Sequence, residues 1–304
     1  MASLKRALFL STLAVLSLNS ALAGRGHELD DKQFPEDNFV YRPMQDVGMT
    51  KYQATSIHGT KKLSLTYDDG PHLERTPKIL DLLKEFNIKA TFFVLTSTVN
   101  EKNRFIIDRI VNEGHMLASH DHDHDDNNGE TEQTYRSELA STVKATKTFL
   151  DDLGVHQIEM YYRFPYGAYG KNKTYHHLNI MKEVSQELFG DNCINFAFWD
   201  IDSSDWLPVI TPEEVAQNIR AHMEGGKAYT FKAQVVNGQR TWVKSPYTIT
   251  KPPSGGVILM HDIQEKTLKA SRLIFEEAKQ KGWEFVPLNS IKEFEYGNKE
   301  CVLL

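Results

Sequence analysis

From Lys61 onward the chain alternates short apolar runs with longer stretches whose apolar residues recur every three or four positions. The short runs are Leu63–Tyr67, Ala90–Leu95, His115–Ser119, Tyr161–Phe164, Phe196–Asp200, Gly256–Met260 and Glu284–Pro287, and their length suits buried strands. The helical stretches between them are Pro77–Phe86, Arg104–Glu113, Thr134–Leu153, Tyr175–Phe189, Pro212–Glu224 and Leu268–Lys281. Thr211-Pro212-Glu213-Glu214 reads as an N-cap, a proline at the first helical position and acids in the first turn. Strands separated by helices pair in parallel, so the pattern predicts one barrel-like α/β domain built from βα units. One segment breaks the alternation. Ala228 to Val236 and Gln239 to Lys244 flank Asn237-Gly238, a strong hairpin signal. A two-residue turn there pairs Val236 with Gln239, Val235 with Arg240 and Ala233 with Trp242. On that register Tyr229, Phe231, Ala233, Val235 and Trp242 share one face, beside Arg240 and Lys244. The face either packs on the barrel wall or walls a groove.

Ahead of this pattern lie two segments of different character. Lys5 and Arg6, then the apolar run Ala7 to Leu18, then Ala21-Leu22-Ala23 have the order of an export signal over residues 1–23. The run is shorter than the roughly 20 apolar residues that span a bilayer. Residues 24–60 are polar, with Pro35 and Pro43, and read as an extension lying over the domain at 61–304. Export would place Cys193 and Cys301 in an oxidising compartment, where they form one bridge or remain two separate buried thiols.

Composition narrows the function by exclusion. The 304 residues are 40% hydrophobic and 25% charged, an ordinary globular balance large enough for a core without metal or disulfide support. With 35 basic and 41 acidic residues the net charge is −6 and no basic cluster is visible, which argues against nucleic acid and against anionic lipid as partners.

The polar residues that matter fall where strands run out, the working face of βα-repeat folds. The first strand ends in Asp68-Asp69-Gly70-Pro71, adjacent acids that need a cation or a basic side chain beside them. The third ends in His120-Asp121-His122-Asp123-His124, and one helical turn would put His120 and His124 on the same side for one metal ion. A carboxylate from another strand end would complete a His₂Asp site with open positions, a catalytic pattern. His122 would then point to solvent. The fourth strand ends in Arg163-Phe164-Pro165-Tyr166-Gly167, offering an arginine to a carboxylate. Asp202-Ser203-Ser204-Asp205-Trp206 and Leu259-Met260-His261-Asp262 close the fifth and sixth strands.

These five stretches, in this order, resemble the polysaccharide deacetylase family, also called the NodB-homology domain or carbohydrate esterase family 4. The resemblance runs from about Leu63 to Ile291. It implies a distorted (β/α)7 barrel and metal-dependent removal of acetyl from an N-acetylated sugar polymer. Residue by residue, it implies that Asp69, His120 and His124 hold a divalent metal, zinc in the first instance. Asp68 would be the general base toward water, and Arg163 would orient it. His261 would be the general acid, with Asp205 tuning it. The backbone N–H of Tyr166 would donate to the oxyanion, and Pro165, Trp206 and Leu259 would shape the acetyl pocket.

Three departures stand out. Tyr67 replaces the usual Phe, Asp121 replaces the usual Ser or Thr, and the stretch between Trp206 and His261 is longer than a helix and a loop require. Asp121, with Asp123, Asp125 and Asp126, makes the metal loop acidic, and oxygen donors nearby would favour ions harder than zinc. The expected function is a secreted or periplasmic N-acetylglucosamine deacetylase, with peptidoglycan as first substrate. Chitin, exopolysaccharide and O-acetyl xylan use the same chemistry and stand as alternatives. A catalytically inactive sugar-binding protein would be expected to lose Asp68 or His261, and both are present.

Overall fold

In a computed structural model, which describes residues 54–157, 160–168, 176–191, 193–294 and 301–304, the strand Lys62–Asp68 (β1) runs through the middle of a curled parallel sheet. Every β1 residue after Lys62 is buried, Ser64 and Thr66 included, as expected of a strand covered on both faces. Thr91–Val94 (β2), Met116–Ser119 (β3), Met160–Tyr162 (β4) and Ile194–Phe196 (β5) follow in order on one side of β1. On the other side lie Gly256–His261 (β9) and then Ile201–Asp202 (β6). Glu284–Phe285 (β10) pairs with the start of β1 at Lys62 and Leu63, while β2 pairs with its end at Thr66 to Asp68. The result is a distorted (β/α)7-type barrel.

The expected single strand Phe196–Asp200 is corrected here. The chain forms two short strands at opposite edges of the sheet: β5 pairs with β4, and β6 pairs with β9. Between them the Ala197 N–H still donates to Tyr162 O and the Asp200 N–H to Val257 O. One stretch of chain therefore spans the gap where the sheet would close. An apolar run carries no sign of which edge each residue meets, so periodicity merges the two.

The helices are Thr76–Phe86 (α1), Arg104–Asn112 (α2), Glu132–Asp152 (α3), His176–Phe189 (α4), Pro212–Glu224 (α5) and Glu265–Lys281 (α6). Their local chemistry explains their limits. Thr211 and Glu214 form a reciprocal capping box at the start of α5, with Pro212 in the first turn. Asn87 ends α1 and Gly282 ends α6 in the left-handed conformation. Leu80, Leu83, Ile106, Ile110, Leu139, Val143, Val215, Ile219 and Ile274 turn inward onto Leu65, Phe92, Leu117, Ile194 and Ile258 of the sheet.

Gly226–Val236 (β7) and Gln239–Ile249 (β8) form the antiparallel hairpin, in the register expected. Asn237 and Gly238 both take positive φ, 53° and 76°, as a type I′ turn requires. The shared face divides along its length: Phe231 is buried, Tyr229 and Trp242 are half-buried against the core, and Val235 near the tip is 71% exposed. The base is fixed to α5, where the Tyr229 N–H donates to Asn218 Oδ1 at 2.9 Å.

Cys193 and Cys301 are bonded, Sγ–Sγ 2.10 Å, which ties the C-terminal tail to the chain just before β5. The expected export signal and most of the extension lie outside the described residues. Residues 54–60 dock on the barrel through Ala54 N–H to Asp200 Oδ2 at 3.1 Å and Ser56 N–H to Glu293 Oε1 at 2.8 Å. No helix among the described residues is long and apolar enough to cross a membrane.

Candidate active site

Parallel strands deliver their C-terminal residues to one end of the sheet, and the polar residues singled out above converge there. Asp68, the last residue of β1, is buried and paired with Arg163, whose Nη1 donates to Asp68 Oδ1 at 2.8 Å. Arg163 is fully buried, and its other donors are also spoken for. Nη1 reaches Thr66 Oγ1 at 2.7 Å, Nε reaches Ala197 O at 2.7 Å and Nη2 reaches Phe198 O at 3.1 Å. Its guanidinium lies 4.0 Å over the Phe93 ring. A buried charge is tolerable only when paired and bonded in this way.

Asp69, His120 and His124 each offer a ligand atom, all within 4.8 Å of one another. His120 Nδ1 donates to the Arg163 carbonyl at 2.8 Å, which fixes the tautomer and leaves Nε2 facing Asp69 Oδ1 at 3.3 Å. His124 Nε2 faces the same oxygen at 3.3 Å. That oxygen is buried with no hydrogen-bond partner. Two imidazole nitrogens and an orphaned carboxylate oxygen fit a divalent cation. Burial and the neighbouring His120 push His124 down to about 4, so its imidazole is neutral at pH 7. Burial alone would raise Asp69, but His261, His120 and His124 hold it well below the ordinary carboxylate range.

The helical turn expected over His120–His124 is corrected. Those residues form a loop in which Asp121 and His124 take positive φ, 77° and 70°, and this brings the two imidazoles together. Asp69 (73°), Tyr166 (57°) and Ser204 (60°) share that conformation, which costs a residue with a side chain about 1–3 kcal/mol. Strain of this kind gathers where geometry has been over-determined. Asp121 does not turn its carboxylate toward the three ligands; it is fully buried beside Asn127, so it adds no oxygen donor to them. His122 is exposed, as expected, with Nδ1 2.9 Å from Thr96 Oγ1.

His261 ends β9, on the strand next to β1 and level with Asp68. Its Nδ1 lies 2.6 Å from Asp205 Oδ1, its N–H donates to Asp205 Oδ2 at 2.8 Å, and Thr267 Oγ1 donates to the same oxygen at 2.5 Å. Burial would lower the imidazole, but Asp205 and then Asp69 outweigh it and push His261 up to about 10. Gly70 keeps the first strand end close to the last, since a Cβ there would sit 2.3 Å from Asp262 Oδ2.

Together these groups line a pocket of about 130 Å³, with Asp68, Asp69, His120, His124, Tyr166, Trp206, Leu259 and His261 on its walls. Pro165 is buried and is not among the lining residues; Phe164 and Tyr166 on either side are. Sequence reasoning missed Phe164, Trp199 and Asp202 as lining residues. Asp202 lies in the flagged Asp202–Trp206 stretch, and burial pushes it up to about 6. Trp206 meets Trp242 of the hairpin edge-on, ring centroids 5.4 Å apart. The Tyr67 hydroxyl that departs from the usual Phe is buried and 3.0 Å from Ser271 Oγ, away from the pocket.

A family model described as polysaccharide deacetylase matches residues 56–185. The chain is 30% identical over 242 residues to YheN of Bacillus subtilis, a putative polysaccharide deacetylase, covering 79% of this chain and 71% of that protein. It is 28% identical over 239 residues to the peptidoglycan-N-acetylglucosamine deacetylase PgdA of Listeria monocytogenes. That match covers 79% of this chain but only 40% of the Listeria protein's length. Among solved structures, a peptidoglycan N-acetylglucosamine deacetylase superposes with TM-score 0.55 at 28% identity, over 77% of this chain and 89% of that one.

Proposed function

The chain belongs to the polysaccharide deacetylase family, and from that premise we propose that it hydrolyses the N-acetyl group of N-acetylglucosamine residues in an exported polysaccharide, peptidoglycan first. The observation that carries the reading is the meeting, in one pocket, of a carboxylate clamped by a buried arginine, an imidazole clamped by a buried carboxylate, and three candidate ligand atoms.

A divalent cation held by Asp69, His120 and His124, zinc by its nitrogen-rich donor set, would polarise the acetyl carbonyl and lower the pKa of water toward about 7. Asp68 takes the proton from the attacking water at Oδ2, because Oδ1 is held by Arg163. As the C–O bond forms, the backbone N–H of Tyr166 donates to the oxyanion. His261 then gives its Nε2 proton to the departing nitrogen, since Nδ1 is committed to Asp205. The C–N bond breaks, and acetate and a free amine leave. Trp206 and Leu259 wall the pocket for the acetyl methyl.

On this reading the hairpin extends the sugar groove, because Trp242 continues the aromatic surface that begins at Trp206. Export is supported by the leader pattern over 1–23 and by a disulfide of the kind that oxidising compartments preserve. Acetate release from purified peptidoglycan, chitin and acetylated xylan, side by side, tests the substrate. Turnover greatest on peptidoglycan is expected; release from xylan alone would replace the amide reading with an ester one.

A further inference from the structure

Outside the pocket lining, the loop after β3 gathers a second set of carboxylates. Asp121 is fully buried in the left-handed conformation. Its Oδ2 accepts one long bond, 3.3 Å, from Asn127 Nδ2, the His122 backbone N–H also donates to the carboxylate, and Oδ1 is buried without a well-aligned hydrogen bond. Asp123 and Glu138 each bring an oxygen within 4.8 Å of an Asp121 oxygen and of each other. Glu130 joins through the same Asn127 amide, which donates to its Oε1 at 3.0 Å. Glu130 Oε2 and Glu138 Oε2 are buried without partners too. Among the described residues, no lysine or arginine forms an ion pair with any of these four acids.

Acidic side chains crowded against a fully buried carboxylate must either share protons or share a cation. Burial, reinforced by the neighbouring acids, raises Glu130 above its ordinary value and brings Glu138 up to about 7. The cluster is thus unsatisfied in the sense that a positive charge would relieve. Its donors are all oxygen, with no nitrogen or sulfur, and come from a flexible mixture of loop and helix, which suits calcium rather than zinc. We propose that Asp121, Asp123, Glu130 and Glu138 form a second, structural site for a calcium ion, separate from Asp69, His120 and His124.

The placement gives such an ion a purpose. Asp121 O accepts from Thr96 N–H at 3.2 Å and from Thr142 Oγ1 at 2.9 Å, and Thr142 stands one turn of α3 beyond Glu138. A cation bridging Asp121 and Asp123 to Glu138 would pin the loop to that helix from outside the pocket. His120 and His124 bracket the pinned residues, so their presentation would be fixed at the same time. The inference concerns binding alone and stands whether or not the deacetylase reading holds.

The test uses the full chain loaded with zinc, with calcium alone as the titrant. Calorimetry should find one calcium per chain, and calcium should raise the melting temperature. Terbium in its place should luminesce on excitation of Tyr135 and Tyr162, whose buried phenols both feel the Asp121 charge. Glu138→Gln, at a half-buried position, and Asp123→Asn, at an exposed one, should weaken calcium binding by about tenfold or more and leave zinc content unchanged. Absence of saturable calcium binding would overturn the proposal, as would equal binding by both variants. Loss of the calcium response in Asp69→Ala protein would place the ion in the catalytic pocket and overturn it as well. A calcium-free gain in stability for Glu138→Gln, with no calcium response in the unaltered chain, would mean that the carboxylates share protons.

Discussion

Replacing Asp205 with asparagine keeps an oxygen for Thr267 and for the His261 N–H but removes the negative charge beside the imidazole. His261 is pushed up to about 10 from 6.5, although burial works against it, and Asp205 is the largest of the groups that raise it. At 1.36 kcal/mol for each tenfold change in proton affinity, that rise is on the order of 5 kcal/mol. Two unit charges about 4 Å apart interact by about 4 kcal/mol at an effective dielectric constant near 20. Loss of the Asp205 charge should therefore lower the imidazole by about two to three pH units. An acid must be protonated to act, so activity falls as pH rises through its pKa, and a lower pKa brings that fall to lower pH. The basic limb of kcat/KM for an N-acetylated chitooligosaccharide should move to lower pH by about two to three units. An activated acetyl ester, whose leaving group needs no proton, should keep its limb. Stability carries the same sign: the raised imidazole contributes fully below pH 6.5 and its contribution is lost as pH rises through about 10, so the variant should be the less stable protein near neutrality. An unmoved basic limb on the amide, in folded and metal-loaded Asp205→Asn protein, would refute the role given to His261.

Three further outcomes are expected. Asp69→Ala, His120→Ala and His124→Ala should each lose bound metal while circular dichroism stays unchanged, because the core is apolar and lies beneath the site; full metal content in His124→Ala protein would contradict the ligand set. Trimming Tyr229–Lys244 to a short turn removes Trp242 from Trp206, and should raise KM for polymer while sparing a small acetylated substrate; equal kinetics on polymer would leave the hairpin as packing. Reducing Cys193–Cys301, which closes a loop with a sequence separation of 108, should cost up to about 5 kcal/mol in denaturant unfolding, and an unchanged midpoint would show that the bridge does not form in solution.

The strand ends were the most legible part of the chain, because an acid, an arginine or a histidine after an apolar run has few structural reasons to be there. The stretches holding Asp68, Asp69, Arg163, Asp205 and His261 stood out this way, their individual roles came from the family resemblance, and the structure brings the residues together. The Asn237-Gly238 turn was equally plain, since its left-handed pair accepts few other residues. What remained hidden depends on tertiary context. The loop that joins His120 to His124 borrows two left-handed residues, a conformation that histidine spacing cannot distinguish from a helical turn. The division of β5 from β6 depends on which sheet edge each half meets. Asp121 read as part of an acidic loop that could bias the metal toward harder ions, and only the fold shows that its carboxylate lies with Asn127, Asp123 and Glu138 and not with Asp69, His120 and His124.

The role of base proposed for Asp68 is decided by acetate release from purified peptidoglycan, compared between the zinc-loaded chain and its Asp68→Asn variant. The unaltered chain should release acetate and leave an equal amount of free amine on the glycan. Asp68→Asn should hold the same zinc, since Asp69, His120 and His124 are untouched, and release none above background. Acetate release by both at the same rate would contradict the account.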